Sequence, residues 1–541
     1  MASKNLFPVA VMALITVVGC TPGEKNTSPL IADIPVCGTV QFSDGCSEEL
    51  DPMIGYGIAL VHHMTYEEAD QVFAKVSEAD ETCFWGPWGR ALSYIHPLWN
   101  DPPGEERFKA GWDLSQKALK LAKTDKEMAY GRAVASYYEN TSEKSEKERL
   151  KSFHDGWDQA FQFNPEDLEA KAFYALSLIA VSDPTDKTFA NQLKAGALAE
   201  EVMLEIEDHP GAFHYIIHAY DYPGLSDKAI DVANTYGKIA PEIPHALHMP
   251  SHIFTRLGMW KESIEWNTRS AAAALKNPVR GAVSMHYFHA MDYMMYSHLQ
   301  RGEITKARAV LEKMEKLSGP FHAAGATAYA LAAGEGRFHL ERMDWRAASM
   351  MALPKNGEFN WQNFPESRAL NAFATGLGAA RSGSMELAGM ALTKLDSLKP
   401  SIKHPYFSGQ VEVQKNIIKA WMAFGKSKQK EAIALMRQAC DLEWATEKHP
   451  ITPGELLPSR ELFGEMLIEA NLSKEALEQY EMSLQRSPNR LNSLYGAARA
   501  AELSGDQEKA KHYYAKVVEL TAESSDIVDR REKAKAQLTS L

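Results

Sequence analysis

The feature that most constrains the fold is a recurrence of the same residue types every 34 positions. Ala476 and Tyr480, near the C-terminus, are followed 34 residues later by Ala510 and Tyr514. Periods of about 20–50 residues are typical of solenoids, in which each repeat is a small unit that buries its apolar face against the next one. The 541-residue chain is therefore expected to grow by stacking repeats rather than by adding separate cores.

The same period occurs in the middle of the chain, where glycine marks it. Gly224, Gly258 and Gly302 each lie five residues before a small residue, and the first two are 34 positions apart. Glycine adopts the left-handed backbone that ends a helix at little cost. These in-phase glycines therefore predict tight turns between paired helices.

The positions and residue types of these repeats resemble the tetratricopeptide repeat (TPR) signature. Because no strand-like alternation of useful length occurs, the chain is predicted to be all-α, a right-handed superhelical solenoid of TPR-like helical hairpins. The Pro-rich segment His449–Pro458 is expected to form a loop over one face, where it can act as a lid. The predicted segments are a lipoprotein-type signal peptide (1–19), a polar tether (20–48), a TPR-like array with a His-rich groove (49–320), irregular helical repeats (321–410) and a C-terminal TPR array (411–541).

Charge argues against nucleic acid as a partner. The chain has 58 basic and 71 acidic residues, a net charge of −13, whereas binding to phosphates needs a basic face. The sequence also has no Gly-x-Ser-x-Gly elbow, Walker A loop or His-Glu-x-x-His motif, so no common catalytic signature assigns a reaction.

The first twenty residues are interpreted as a targeting segment. An apolar run follows Lys4 and is shorter than the roughly 20 residues that span a bilayer. Its ending, Val17-Val18-Gly19-Cys20, resembles the lipobox of bacterial lipoproteins, which implies lipidation of Cys20 and a periplasmic protein anchored only through that lipid. By the same analogy, Thr21 favours the outer membrane. A plain secretory signal with a chance cysteine is the alternative.

The cysteines do not form a disulfide framework, because there are only five and none belongs to a Cys-x-x-Cys pair. Cys37 and Cys46 lie nine residues apart in the polar tether. Outside the cytoplasm they could oxidise to a small loop, although the sequence does not report the distance between their Cα atoms. Cys83 and Cys440 are interpreted as buried small side chains within helices.

Histidine is concentrated in one region, which holds nine of the 18 histidines between His209 and His298. Pairs spaced by four residues share one helical face. The TPR resemblance implies that these positions, in the first helix of each repeat, line the concave groove of the solenoid. The candidate metal-ligating residues are His214, His218, Asp221, His245, His248, His252, His289 and Asp292.

Two interpretations of this cluster stay open. Facing histidine pairs with a carboxylate suit zinc, copper, iron or nickel, and Asp221 or Asp292 would be a ligand or would orient one. Alternatively, the histidines hydrogen-bond to one another and to the backbone, or bind an acidic or aromatic ligand as neutral or charged donors. Pro250 lies between His248 and His252 and is expected to break the helix, which would displace the row.

Two longer stretches resemble a group of bacterial TPR lipoproteins of unassigned activity. They are His209–Asp221 followed by Pro244–Gly258, and Pro453–Arg499. The leading hypothesis is a lipid-tethered periplasmic TPR protein that binds a ligand or protein segment in its groove, with a His-based transition-metal site. The alternatives are a metal-dependent enzyme, hydrolytic or oxidative, and a metal-free assembly scaffold.

Overall fold

A computed structural model of the chain describes residues 16–19, 34–42, 46–99, 101–139, 144–355 and 359–540. Most of them lie in α-helices, and the only strands among them are β1 (Thr16–Gly19) and β2 (Thr39–Phe42), which pair antiparallel. The predicted all-α solenoid of TPR-like helical hairpins is confirmed. Cys20 and most of the predicted signal and tether lie outside the described residues, where none of their structure can be compared with the prediction.

The described chain divides into two compact units. The first takes the residues up to Val181 together with Ala197–Tyr215, and the second takes Ser182–Gly196 and Ile216 onward. The predicted boundaries at 320 and 410, between kinds of repeat, stay predictions. No helix among the described residues is long and apolar enough to span a membrane.

The first unit packs its helices around aromatic side chains. Trp85 and Trp88 meet edge to face with ring centroids 5.1 Å apart, and Trp157 stacks on Phe173 at 4.5 Å. Such aromatic pairs stabilise the fold by more than the burial of their apolar area alone would. Its helices are α1 Asp51–His62, α2 Tyr66–Ala79, α3 Trp85–Ser93, α4 Glu105–Leu121, α5 Asp125–Tyr138, α6 Glu146–Phe163 and α7 Leu168–Ala180. The helices α8 (Ala190–Glu205) and α9 (Pro210–Tyr220) run across the division.

The predicted pairing of Cys37 with Cys46 is wrong, because Cys46 forms a disulfide with Cys83. Their Cα atoms are 5.3 Å apart although 37 residues separate them in sequence. The α1–α2 hairpin returns the chain to the start of α1, and Cys83 lies in the turn after α2 rather than inside a helix. Cys37 keeps a buried thiol, while its carbonyl oxygen lies 2.9 Å from Nε2 of His63.

The second unit continues the helical hairpins to the end of the described chain. Its helices are α10 Ile230–Ile239, α11 Pro244–His248, α12 Pro250–Leu257, α13 Trp260–Lys276, α14 Met285–Gln300, α15 Ile304–Lys316, α16 Gly325–Glu341, α17 Trp345–Ser349, α18 Pro365–Arg381, α19 Met385–Leu398, α20 Pro405–Gly425, α21 Gln429–Trp444, α22 Ser459–Glu469, α23 Ser473–Arg486, α24 Leu491–Ser504, α25 Gln507–Leu520 and α26 Asp529–Ser540. Short 3-10 turns are Ser226–Ala229, Trp361–Asn363 and Lys399–Ser401 here, and Glu48–Leu50 in the first unit.

Glycine sets the turns and the close helix contacts of the repeats. Gly224, Gly258 and Gly302 have φ angles of 80°, 67° and 67°, so the predicted left-handed turns are confirmed. Inside the C-terminal hairpins, a Cβ atom at Gly496 would lie 2.2 Å from the ring of Tyr480. In this hairpin the ring of Tyr480 therefore fills the space beside a glycine.

Candidate metal site

Six buried histidines of the second unit lie on neighbouring helices. They belong to the end of α9, to α11 and α12, and to the first turns of α14. Pro250 ends α11 at His248 and begins α12, since proline has no N–H to continue the ladder. The expected break occurs, yet it leaves two histidines four residues apart and facing each other. The six residues are His218, His245, His248, His252, His286 and His289.

Three of these rings converge on one point. His248, His252 and His289 each offer a nitrogen, and the three nitrogens lie within 4.8 Å of one another. Nε2 of His248 is 3.1 Å from Nε2 of His252, and the rings of His248 and His289 are 4.1 Å apart. Metal–nitrogen bonds of about 2.0–2.1 Å at tetrahedral angles place two donor nitrogens about 3.3 Å apart. The spacing is therefore that of two ligands of one ion.

The neighbours of these rings fix where their protons lie. Nδ1 of His248 lies 2.7 Å from Oδ1 of Asn267, whose amide nitrogen donates to the carbonyl of Ser263. Nδ1 of His252 lies 2.9 Å from Oδ2 of Asp221. Both Nδ1 atoms face acceptors and so carry the ring protons. In the neutral rings, the two Nε2 atoms then point lone pairs at each other across 3.1 Å.

Asp221 is the anionic centre behind this group. Burial alone would raise its pKa, but the nearby charges of Lys448 and Arg256 hold that pKa well below its ordinary value. Its Oδ1 accepts from Nε of Arg256 at 2.7 Å, and its Oδ2 faces both His252 and Nζ of Lys448, the latter at 3.3 Å. With both oxygens engaged, Asp221 orients His252 rather than joining the three nitrogens.

Neither ring readily takes up a proton to bridge the two facing Nε2 atoms. Burial lowers the pKa of His248 well below its ordinary value, and the neighbouring His289 lowers it further. Burial also lowers the pKa of His252, although Asp221 opposes that shift. The same cause, burial, depresses the pKa of His289. Neutral imidazoles are the form that binds transition metals.

Residues 445–458 cover the group, so the histidines do not line an open groove as expected. His248, His252 and His289 are at most 8% exposed. Lys448 reaches Asp221 from this segment, and the hydroxyl of Tyr293 donates to the carbonyl of Pro450 at 2.8 Å. Residues 445–458 contain no helix, as predicted for the Pro-rich segment, and their contacts with Asp221 and Tyr293 accompany the burial of the histidines.

His214, His218 and His245 do not belong to this group of three nitrogens. His214 belongs to the first unit, where its Nδ1 donates to the carbonyl of His62 at 2.6 Å. The ring of His218 is 5.9 Å from that of His252, and the ring of His245 is 6.1 Å from that of His248, outside the group of three.

Asp292 is not brought to the site, which corrects the expectation that it borders the histidines. Its two oxygens form a fully buried ion pair with Arg337, at 3.0 Å to Nε and 3.3 Å to Nη2. Arg337 also donates to the carbonyls of Gly454 and Glu455 in the covering segment. Asp292 thus contributes to holding that segment through Arg337.

A second group, in the first unit, resembles the site but is satisfied by hydrogen bonds alone. His62, His209 and Glu169 converge within 4.8 Å. Nδ1 of His209 accepts from the amide of Ala212, so its Nε2 donates to Glu169 at 3.0 Å. His62 donates to Glu169 at 2.7 Å through Nε2 and accepts from Tyr215. Each accepting ring nitrogen here faces a donor, unlike the facing Nε2 atoms of His248 and His252.

Sequence reasoning missed the residues that orient the histidines. Asn267, Arg256 and Lys448 have no spacing that marks them as partners of the cluster. Lys448 lies 227 residues from Asp221 in sequence and directly precedes the Pro-rich segment His449–Pro458.

Comparisons with known proteins give no family. No protein-family model matches this chain, and no curated protein matches its sequence. The human IFIT1 dimer with m7Gppp-AAAA is 12% identical, with coverage of 85% of this chain and 95% of the IFIT1 chain and a TM-score of 0.38. The human IFIT1 dimer with PPP-AAAA is also 12% identical, with coverage of 87% and 83% and a TM-score of 0.25. At such TM-scores the likeness carries no argument about ligands. The exclusion of nucleic acid stays a prediction from charge.

Proposed function

We propose that the second unit binds one transition-metal ion through His248, His252 and His289. The observation that carries this proposal is the pair of Nε2 atoms 3.1 Å apart, each on a ring whose Nδ1 donates to a fixed acceptor. A cation between them turns a repulsive contact into two bonds. Imidazole donors suit zinc, copper, iron or nickel.

Asn267 and Asp221 support the proposal as the outer partners of two of these rings. Histidines that ligate metals usually donate their other ring N–H to a carboxylate or an amide or carbonyl oxygen, which fixes the tautomer and the ring orientation. The contrast with His62, His209 and Glu169 sharpens the argument. The three side chains of that group lie equally close together, but each accepting ring nitrogen there faces a donor. We therefore propose no metal there.

Metal analysis tests this proposal directly. We expect purified protein to bind one Co²⁺ per chain with the absorption bands of a nitrogen-ligated ion. Replacing His289 with phenylalanine, or His252 with alanine, should weaken Co²⁺ binding by at least about tenfold, since each removes a donor. Elemental analysis and the Co²⁺ spectrum are the measurements.

The matched control is His286→Gln, which changes a buried histidine outside the group of three. It should keep full Co²⁺ binding. Circular dichroism of each variant shows whether it remains folded. Equal Co²⁺ binding by the native protein and the folded His289→Phe variant would remove the site.

A metal-dependent enzyme is the second candidate function. Three protein ligands are the number that catalytic sites use, with water or substrate as a further ligand, whereas structural sites usually use four. Adding azide to the Co²⁺ protein separates the two cases. A shifted spectrum favours an ion with an exchangeable position, and an unchanged spectrum favours a closed structural ion.

We also propose that the protein is held at a periplasmic membrane surface, at the outer membrane, by lipid on Cys20. The support is the sequence Val17-Val18-Gly19-Cys20 alone. Cys20→Ser is expected to move the protein from the membrane fraction of bacterial cells to the soluble fraction, because no lipid can then be attached. Immunoblots of the fractions measure this, with Cys37→Ser as the control that should stay in the membrane fraction. Unchanged partition of Cys20→Ser would contradict the tether.

A further inference from the structure

A cavity in the second unit is formed by α16, α18, α20, the end of α21 and the residues before α22. The space inside it that a water-sized group can occupy is about 40 Å³. Aromatic side chains form much of its wall, among them Phe373, Tyr406 and Phe407. Aromatic faces carry negative charge density and attract cations.

The polar groups of the wall are acceptors. Glu366, Glu443 and Glu455 line the cavity together with Gln414. Gln414 is 8% exposed, and its Oε1 accepts no hydrogen bond from any residue that the structure describes. Oε1 of Glu455 is likewise buried without a hydrogen bond from the described residues. A buried acceptor without a donor is costly, so these two oxygens point to a ligand that donates.

None of the described residues that line the cavity has a basic side chain. Among described residues, the nearest cation to Glu455 is Arg486, whose Nη2 is 4.0 Å from Oε1, beyond hydrogen-bond distance. The guanidinium of Arg486 instead donates hydrogen bonds to the carbonyls of Glu443 and Thr446. Burial and the neighbouring Glu455 raise the pKa of Glu443 to about 7, although Arg486 opposes the shift.

We propose that this cavity binds a primary alkylammonium group, carried by a free amine or by a lysine side chain. The ammonium donates to Glu455 and Gln414, while its methylene groups pack on the aromatic wall. A hard metal ion is a poorer match, because it needs six or more oxygen ligands and the three carboxyl groups do not converge on one point. A quaternary ammonium has no N–H to offer the two oxygens.

Calorimetric titration of the full chain tests this inference. We expect saturable binding of n-butylammonium, with no binding of butanol or butyrate. Tetramethylammonium should bind more weakly than n-butylammonium. Nα-acetyl-lysine methylamide distinguishes the two sources: binding at least as tight as butylammonium assigns a lysine side chain, and weaker binding assigns a free amine.

Glu455→Gln should weaken butylammonium binding by about tenfold, because one charge-assisted hydrogen bond is lost. Gln414→Leu should weaken it by a smaller factor. Glu431→Gln is the matched control on α21: its carboxylate is exposed and pairs with Lys428, so binding should be unchanged. No saturable binding of butylammonium, equal binding of butanol, or unaltered binding by a folded Glu455→Gln variant would overturn the proposal. Co²⁺ binding, measured in parallel, is independent of each outcome.

Discussion

Replacing Arg490 with methionine is expected to lower the free energy of unfolding of the second unit by about 3–5 kcal/mol. The guanidinium is fully buried and pairs with two carboxylates. Its Nε lies 3.0 Å from Glu461, its Nη2 lies 2.9 Å from Glu341, and its Nη1 donates to the hydroxyl of Tyr296 at 2.8 Å. Removing the cation leaves two buried negative charges without their partner, which costs more than the pair itself contributes.

The carboxylates keep other donors, but these do not neutralise them. Asn492 donates to Glu341 at 3.0 Å, and Ser493 donates to Glu461 at 2.6 Å. Burial raises the pKa of Glu341 although Arg490 opposes the shift, so loss of Arg490 favours protonation of this group. We therefore expect the destabilisation in Arg490→Met to shrink at lower pH.

Urea unfolding measures this prediction, with two comparisons. Lys428→Met removes an exposed ion pair with Glu431 and should cost at most about 0.5 kcal/mol. Adding Glu341→Leu and Glu461→Leu to Arg490→Met should recover much of the lost stability, because an apolar cluster replaces the unpaired charges. A loss below about 1 kcal/mol in Arg490→Met alone would show that the pair is not buried as described.

The fold was accessible from sequence because local signals encode it. Gly224, Gly258 and Gly302 mark left-handed turns in the backbone of their own hairpins. The disulfide was not accessible, because Cys46 meets Cys83 through the return of the α1–α2 hairpin, while the nearer Cys37 in sequence faces elsewhere.

The candidate site could be predicted only in part from the sequence, for a related reason. His248 and His252 are four residues apart, and that spacing alone places them on one face despite Pro250. Asn267 is held by the packing of α13, and Lys448 arrives from 227 residues away. The sequence could not show that residues 445–458 would bury the histidines, because the burial depends on that long-range contact.

The metal-free second unit is expected to lose stability as the pH falls from 7 to 5, because His218 and His286 are buried in the neutral form. Burial lowers the pKa of His286 to about 3, with a contribution from His322. Burial also lowers the pKa of His218 to about 3, with a contribution from His252. In the unfolded chain both histidines titrate near pH 6.5. Below that pH the chain therefore takes up protons when it unfolds.

The sign and size follow from this difference in proton uptake. Stability is fully present above pH 6.5 and falls by about 1.36 kcal/mol per pH unit for each such histidine until the pH approaches 3. At pH 5 the loss is about 2 kcal/mol for each, or about 4 kcal/mol for His218 and His286 together. Glu443, whose pKa burial raises to about 7, titrates in the opposite direction and offsets part of this loss.

Comparing the native protein with His286→Gln isolates one histidine, because Glu443 and the other groups contribute equally to both and cancel. After metal removal with a chelator, urea unfolding between pH 7 and 5 should show that the native protein loses about 2 kcal/mol more than the variant. The difference should vanish above pH 7, where the histidine is neutral in both the folded and unfolded states. Equal pH dependence of the two proteins would mean that His286 takes up its proton in the folded state, and that the interior around the proposed metal ligands is more hydrated than its burial indicates.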